Sequence, residues 1–199
     1  MPRMGALAER DREVEVLRRL LEDAVAGRGR VVHLIGEAGI GKTALVRLAA
    51  AEAEREGIEV LLASPGQTDR QVPFGVVRQL LTRPLMALAH PLRAATWAQV
   101  SAGPGRRAAA HLVGADEAEA LDQSTMIASL AWLVEDLAAE RPLLLVVDDA
   151  QWADEDSLRF LSSLARSIAG QPVLVLVAAR PVAPSHRGPA LAELLADRD

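Results

Sequence analysis

One lysine stands against 21 arginines in this chain, and it is Lys42, inside Gly36-Glu37-Ala38-Gly39-Ile40-Gly41-Lys42-Thr43. The spacing G-x-x-x-x-G-K-[ST] is that of a phosphate-binding loop. A narrow ammonium at this one position suits a side chain laid along the β/γ-phosphates, where a planar guanidinium would be too wide. The flanks agree. Val31-Val32-His33-Leu34-Ile35 is a short apolar, β-branched run before the loop, and Ala44-Leu45-Val46-Arg47-Leu48-Ala49 opens a helical stretch after it. Strand, glycine loop and helix together aim successive backbone N–H groups and a helix N-terminus at a polyphosphate. The residues predicted to bind the nucleotide are therefore Gly36, Glu37, Ala38, Gly39, Ile40, Gly41, Lys42, Thr43 and Ala44, with the Glu37 side chain solvated and not catalytic.

The rest of the sequence supplies the remainder of such a fold. A length of 199 residues, half of them hydrophobic, is enough for one sizeable core, and 1–199 reads as a single domain. Apolar residues at helical spacing run from 7 to 26 and stop at Gly27-Arg28-Gly29. A second strand is predicted at 58–63, after Gly57 has closed the helix behind the loop. From 65 to 141 the chain reads as mostly helical, with helices at 74–88, 92–100 and 118–139 and a loop at Ser101-Ala102-Gly103-Pro104-Gly105 and the arginines after it. Leu143-Leu144-Leu145-Val146-Val147 is apolar without alternation, as a strand covered on both faces of a parallel sheet should be. A helix at 154–169, with Asp154 as its N-cap, leads to a fourth buried strand, Val173-Leu174-Val175-Leu176-Val177-Ala178-Ala179. This alternation of strand and helix predicts an α/β fold with a mostly parallel sheet flanked by helices.

Charge and composition exclude several functions. A net charge of −5 and a pI near 5.4, with arginines scattered among acids, give no general attraction to nucleic acid, so the chain itself is not expected to bind DNA directly. Without cysteine there is no disulfide or thiolate metal site, which fits a reducing cytoplasm. No apolar run is long enough to span a membrane, and Met1-Pro2-Arg3-Met4-Gly5 lacks the apolar core of a signal peptide. The four histidines show no metal-ligand spacing, and His33 reads as a sheet histidine. Ser157, Ser162 and Ser163 have no histidine near them in sequence to make a nucleophile, and Trp97, Trp132 and Trp152 read as core or interface packing.

A phosphate loop needs an acid to hold Mg²⁺, and Asp148 stands at the carboxyl end of a hydrophobic strand, where such an acid belongs. Thr43 offers a hydroxyl to the same metal. Asp149, next to the metal acid, is placed to orient or deprotonate an attacking water, with a solvated strand-end charge as the competing reading. Arg180 ends the fourth strand, where its side chain could reach a γ-phosphate and report its loss; an ordinary surface ion pair is the alternative. Guanine readers use an Asn/Thr-Lys-x-Asp element, and no lysine is left to build one, so ATP is favoured over GTP.

Five stretches together carry a more specific likeness: Leu7-Ala8-Glu9-Arg10-Asp11-Arg12-Glu13, the loop at 36–43, Pro73-Phe74-Gly75-Val76-Val77-Arg78-Gln79-Leu80, the segment 143–154 (LLLVVDDAQWAD), and 173–181 (VLVLVAARP). They resemble the N-terminal ATPase domain of the large ATP-binding LuxR-type regulators, bacterial STAND-class relatives of the AAA+ ATPases. The resemblance covers essentially the whole chain. It implies a P-loop NTPase sheet in which the fourth strand lies between the first and third. It also implies Lys42 and Thr43 on phosphates and Mg²⁺, Asp148 on the metal, Asp149 on the catalytic water and Arg180 as a sensor. Arg10 corresponds to an arginine near the adenine, with Glu9 where that pattern has glycine. A fifth strand flanking the first, a lid and a DNA-binding helix-turn-helix would follow the helix Pro189–Ala196, where this sequence stops, so a truncated relative or a fragment is expected. The implied role is a slow, nucleotide-dependent regulatory ATPase, with attached or partner domains and the possibility of an oligomer. A nucleotide-binding interaction module without turnover is the alternative, and a metabolic phosphotransferase a third, which would need both an arginine-bearing lid and a polar acceptor pocket from the few residues after the fourth strand.

Overall fold

The computed structural model describes residues 11–88, 98, 100, 102–114, 121–181 and 188–196. In chain order the elements are α1 (Asp11–Val25), β1 (Arg30–Ile35), α2 (Lys42–Arg55), β2 (Glu59–Ala63), α3 (Gly75–Leu88), α4 (Arg106–Val113), α5 (Gln123–Glu140), β3 (Leu143–Val147), α6 (Glu155–Ser167), β4 (Val173–Ala179) and α7 (Pro189–Ala196). Short 3₁₀ turns occupy Gln67–Gln71 and Ala150–Trp152.

The described strands form one parallel sheet in the order β1-β4-β3-β2. Every residue of β3 and β4 is buried, which is why both lack polar alternation: each face of these inner strands meets a layer of helices. Side chains two apart share a face, and the two faces pack separately. Leu144, Val146, Leu174 and Leu176 point to the side covered by Leu21 and Ala24 of α1 and Val46, Ala49 and Ala53 of α2. Leu143, Leu145, Val147, Val173, Val175 and Val177 point to the opposite side, against α3, α5, α6 and α7. None of the described helices is long and apolar enough to cross a membrane.

Most boundaries follow their caps. The Asp154 carboxylate accepts from Ser157 N and starts α6, whereas α2 begins behind Gly41, whose φ of 95° is left-handed. Two expectations are corrected. The helix predicted at 118–139 begins at Gln123, because Asp122 is extended (φ −66°, ψ 160°) and accepts from Thr125 N as the N-cap. The arginines after Gly105, assigned to a loop, open α4, which buries Ala108, Ala109 and Leu112. A Cβ at Gly105 would lie 3.0 Å from the Leu133 backbone, so a glycine here lets α4 start directly against α5. The predicted helix at 92–100 lies almost wholly outside the described residues, as do residues 7–10 of the first predicted helix and 118–120 of the one predicted at 118–139.

Candidate functional site

The carboxyl ends of β1, β4 and β3 are neighbours in the sheet, and the predicted phosphate-loop, metal and sensor residues follow those three ends. The loop from Gly36 to Gly41 follows β1 and is tied to the next strand by Gly36 N donating to Ala179 O at 3.2 Å. Gly39 (φ 78°) and Gly41 (φ 95°) take left-handed backbone that L side chains resist, which turns the loop back onto α2. Glu37, Ala38, Gly39 and Ile40 form its exposed outer lip, and Ala44 N donates to Gly41 O as α2 begins.

Lys42 is the first residue of α2 and only 7% exposed. Its Nζ donates to Gly36 O at 2.6 Å and Glu37 O at 2.9 Å, so the ammonium lies curled under the loop, with two of its three protons on backbone carbonyls. One residue on, Thr43 Oγ1 donates to Asp148 Oδ2 at 2.8 Å. That contact joins residues 105 apart in sequence and brings the two predicted metal-binding side chains together. An alcohol and a carboxylate side by side are hard oxygen donors of the kind Mg²⁺ takes when most of its shell is water and phosphate. No group of three or more His, Cys, Asp or Glu able to hold a metal occurs among the described residues, so an all-protein cage is not what this donor pair resembles.

Asp148 is 7% exposed, and its Oδ1 accepts from Asp149 N at 3.0 Å. Asp149 itself is left-handed (φ 56°, ψ 43°), a conformation that Asp tolerates better than most residues, and it turns the chain from β3 into the 3₁₀ turn. Its Oδ1 accepts from Gln151 Nε2 at 2.8 Å and lies 3.9 Å from Arg180 Nε. Both side chains of this ion pair remain open to solvent, so it contributes little stability. Arg180 N donates to Gln151 Oε1 at 3.1 Å.

The loop, Lys42, Thr43, Ala44, Asp148, Asp149 and Arg180 thus meet on one rim of the sheet. Arg10 and Trp97 lie outside the described residues. Trp132 is 49% exposed on α5, which rules out the core half of the core-or-interface reading. Trp152 lies beneath the Arg70 guanidinium, 5.3 Å from its carbon to the ring centre. Sequence reasoning missed Gln151, whose amide joins Asp149 to Arg180. It also missed a second task of Asp154, which caps α6 and accepts from Phe74 N at 2.9 Å and Val76 N at 3.2 Å at the start of α3. The only available signal was polar residues packed into the turn after a buried strand, in the segment Asp148-Asp149-Ala150-Gln151-Trp152-Ala153-Asp154.

A parallel sheet with a glycine loop after one strand, a lysine beneath the loop and an acid at the end of the strand two places away defines a class, the P-loop nucleoside triphosphatases. Within that class the AAA ATPase domain family matches residues 6–176, and the chain belongs to it. An uncharacterized protein of Rhizobium meliloti (strain 1021) is 26% identical over 208 aligned positions, which take in 89% of this chain and 19% of that protein. The chain therefore spans about a fifth of the length of this relative. The solved structure of a Rhizobiales Trip13 is similar at 16% identity, with a TM-score of 0.39, over 93% of this chain and 57% of the other.

Proposed function

We propose that this domain is the nucleotide switch of a larger bacterial regulator of the ATP-binding LuxR type, binding ATP with Mg²⁺ and hydrolysing it slowly. The single observation that carries the reading is the Thr43–Asp148 hydrogen bond, which sets a metal-competent oxygen pair at the root of a glycine loop. On this reading the loop amides and the Lys42 ammonium hold the β- and γ-phosphates, Lys42 exchanging the Gly36 and Glu37 carbonyls for phosphate oxygens. Thr43 and Asp148 would hold Mg²⁺, which neutralises charge on the phosphates when bound. Asp149 orients the attacking water and takes up its proton, and Arg180 senses whether a γ-phosphate is present.

The regulator assignment rests on the resemblance of the 73–80 and 143–154 stretches, and it makes residues 1–199 one domain with a mostly helical insertion at 65–141. DNA recognition and partner binding then belong to attached or partner domains. Turnover in the absence of a partner-supplied arginine should be on the order of 10⁻⁴ to 10⁻² s⁻¹, as in other unassisted P-loop switches. The test is ATP affinity and phosphate release for the wild type and Lys42→Ala. The variant should lose at least about tenfold in affinity, since it removes a charge-assisted contact. Unchanged affinity would end the assignment, and tight ATP binding by the wild type without phosphate release would favour the non-hydrolysing interaction module.

A further inference from the structure

Gln151 is 6% exposed, and both ends of its amide are engaged. Nε2 donates to Asp149 Oδ1 at 2.8 Å, and Oε1 accepts from Arg180 N at 3.1 Å. The orientation of the amide is dictated by its partners. A backbone N–H can only donate, so the amide oxygen must face Arg180 and the NH₂ must face the carboxylate. One side chain on the turn after β3 therefore reads two strand ends at once: the acid that follows β3 and the arginine that follows β4.

The contact also closes a small ring. Asp149 Oδ1 is 3.9 Å from Arg180 Nε, so the carboxylate, the amide and the arginine hold one another through both the side chain and the main chain of residue 180. Asp149 has left-handed backbone and a partly exposed side chain, and its carboxylate would be free to rotate about Cα–Cβ without a fixed donor. Gln151 supplies that donor from a buried position, where its own rotamer is held by the Arg180 N–H.

We propose that Gln151 is a positioning residue of the ATPase site: it fixes the Asp149 carboxylate and couples its orientation to Arg180, so that acid and sensor respond to the γ-phosphate as a unit. The inference rests on the roles given above to Asp149 and Arg180. Removing the amide would loosen both groups while leaving the phosphate loop and the Thr43–Asp148 pair in place.

Two variants separate positioning from folding. Gln151→Glu keeps an acceptor for Arg180 N but sets a carboxylate oxygen against Asp149, and Gln151→Met removes both contacts in a side chain of similar length. ATP and ADP affinities are measured for each by displacement of a fluorescent nucleotide, with phosphate release in parallel. The expected result is a loss of ATP-over-ADP preference by at least about fivefold in both variants, with ADP affinity held within about twofold. The rate of phosphate release should fall about tenfold to a hundredfold, and Gln151→Met should cause no further fall in an Asp149→Asn background. An unchanged ATP-over-ADP preference in both variants, or ADP affinity falling in step with ATP affinity, overturns the inference. Absence of phosphate release from the wild type would instead count against the hydrolytic reading, and nucleotide preference would still decide the role of Gln151.

Discussion

At the scale of single residues, two buried serines on α6 differ by one hydrogen bond. Ser157 is fully buried, and its Oγ accepts from Val77 N at 3.2 Å. Val77 sits in the first turn of α3, where an amide has no partner in its own helix. Ser162 is 1% exposed, and its buried Oγ has no hydrogen-bond partner among the described residues. Ser157→Ala should therefore cost about 1–3 kcal/mol, because it strands the Val77 amide. Ser162→Ala should instead raise stability by up to about 1 kcal/mol, because a stranded hydroxyl leaves an apolar site. Urea midpoints for the two variants should move in opposite directions, and a fall for both would refute this account. No sequence pattern separates these serines, because the deciding partner lies about 80 residues away on another element.

At the scale of elements, Asp154 ties two helices to the turn that follows β3. Its carboxylate takes Ser157 N at the start of α6 together with Phe74 N and Val76 N at the start of α3. Phe74 has a left-handed φ of 55°, and its amide turns toward that carboxylate. Asp154→Ala should cost about 2–4 kcal/mol, roughly two helix caps, with Asp154→Asn between it and the wild type. Thermal and urea unfolding check this, and a loss no larger than one ordinary cap would mean that α3 does not depend on the contact. The role of Asp154 as cap of its own helix was legible, because an Asp before a helical apolar pattern is a local signal. Its hold on α3 was not, since hydrogen bonding at a distance of 80 residues leaves no local pattern. The strands were legible for a similar reason: β3 and β4 are unbroken apolar runs, and their lengths alone suit strands. The helix α4 was hidden by its shortness and by the Gly103-Pro104-Gly105 signal before it, although Ala108, Ala109 and Leu112 already lie on one helical face.

At the scale of the whole molecule, nucleotide and fold are linked. Ligand at a hundredfold its Kd stabilises the form that binds it by about 2.7 kcal/mol, and a tenfold loss of affinity cuts this to about 1.4 kcal/mol, so the same ATP concentration should raise the melting temperature of the wild type by at least about twice as much as that of Lys42→Ala. An equal shift in both would place the binding elsewhere. The phosphate loop and the acids were read from sequence because their residues are concentrated in short segments, whereas the place of β4 between β1 and β3 came only through resemblance to a family, and that of β2 beside β3 only from the structure. The interior then sets the alignment of the rim. Val147 stands opposite Val177 and Ile35 opposite Ala179, and sliding one inner strand by a single step would send the side chains packed against α1 and α2 into the layer of α3, α5, α6 and α7, and the reverse. Such a step is about 3.3 Å, more than the 2.8 Å that separates the hydroxyl of Thr43 from the carboxylate of Asp148. The valines and leucines of the inner strands thus act as the ruler against which the polar groups are measured, and a methyl group far from any phosphate can decide whether those two oxygens meet.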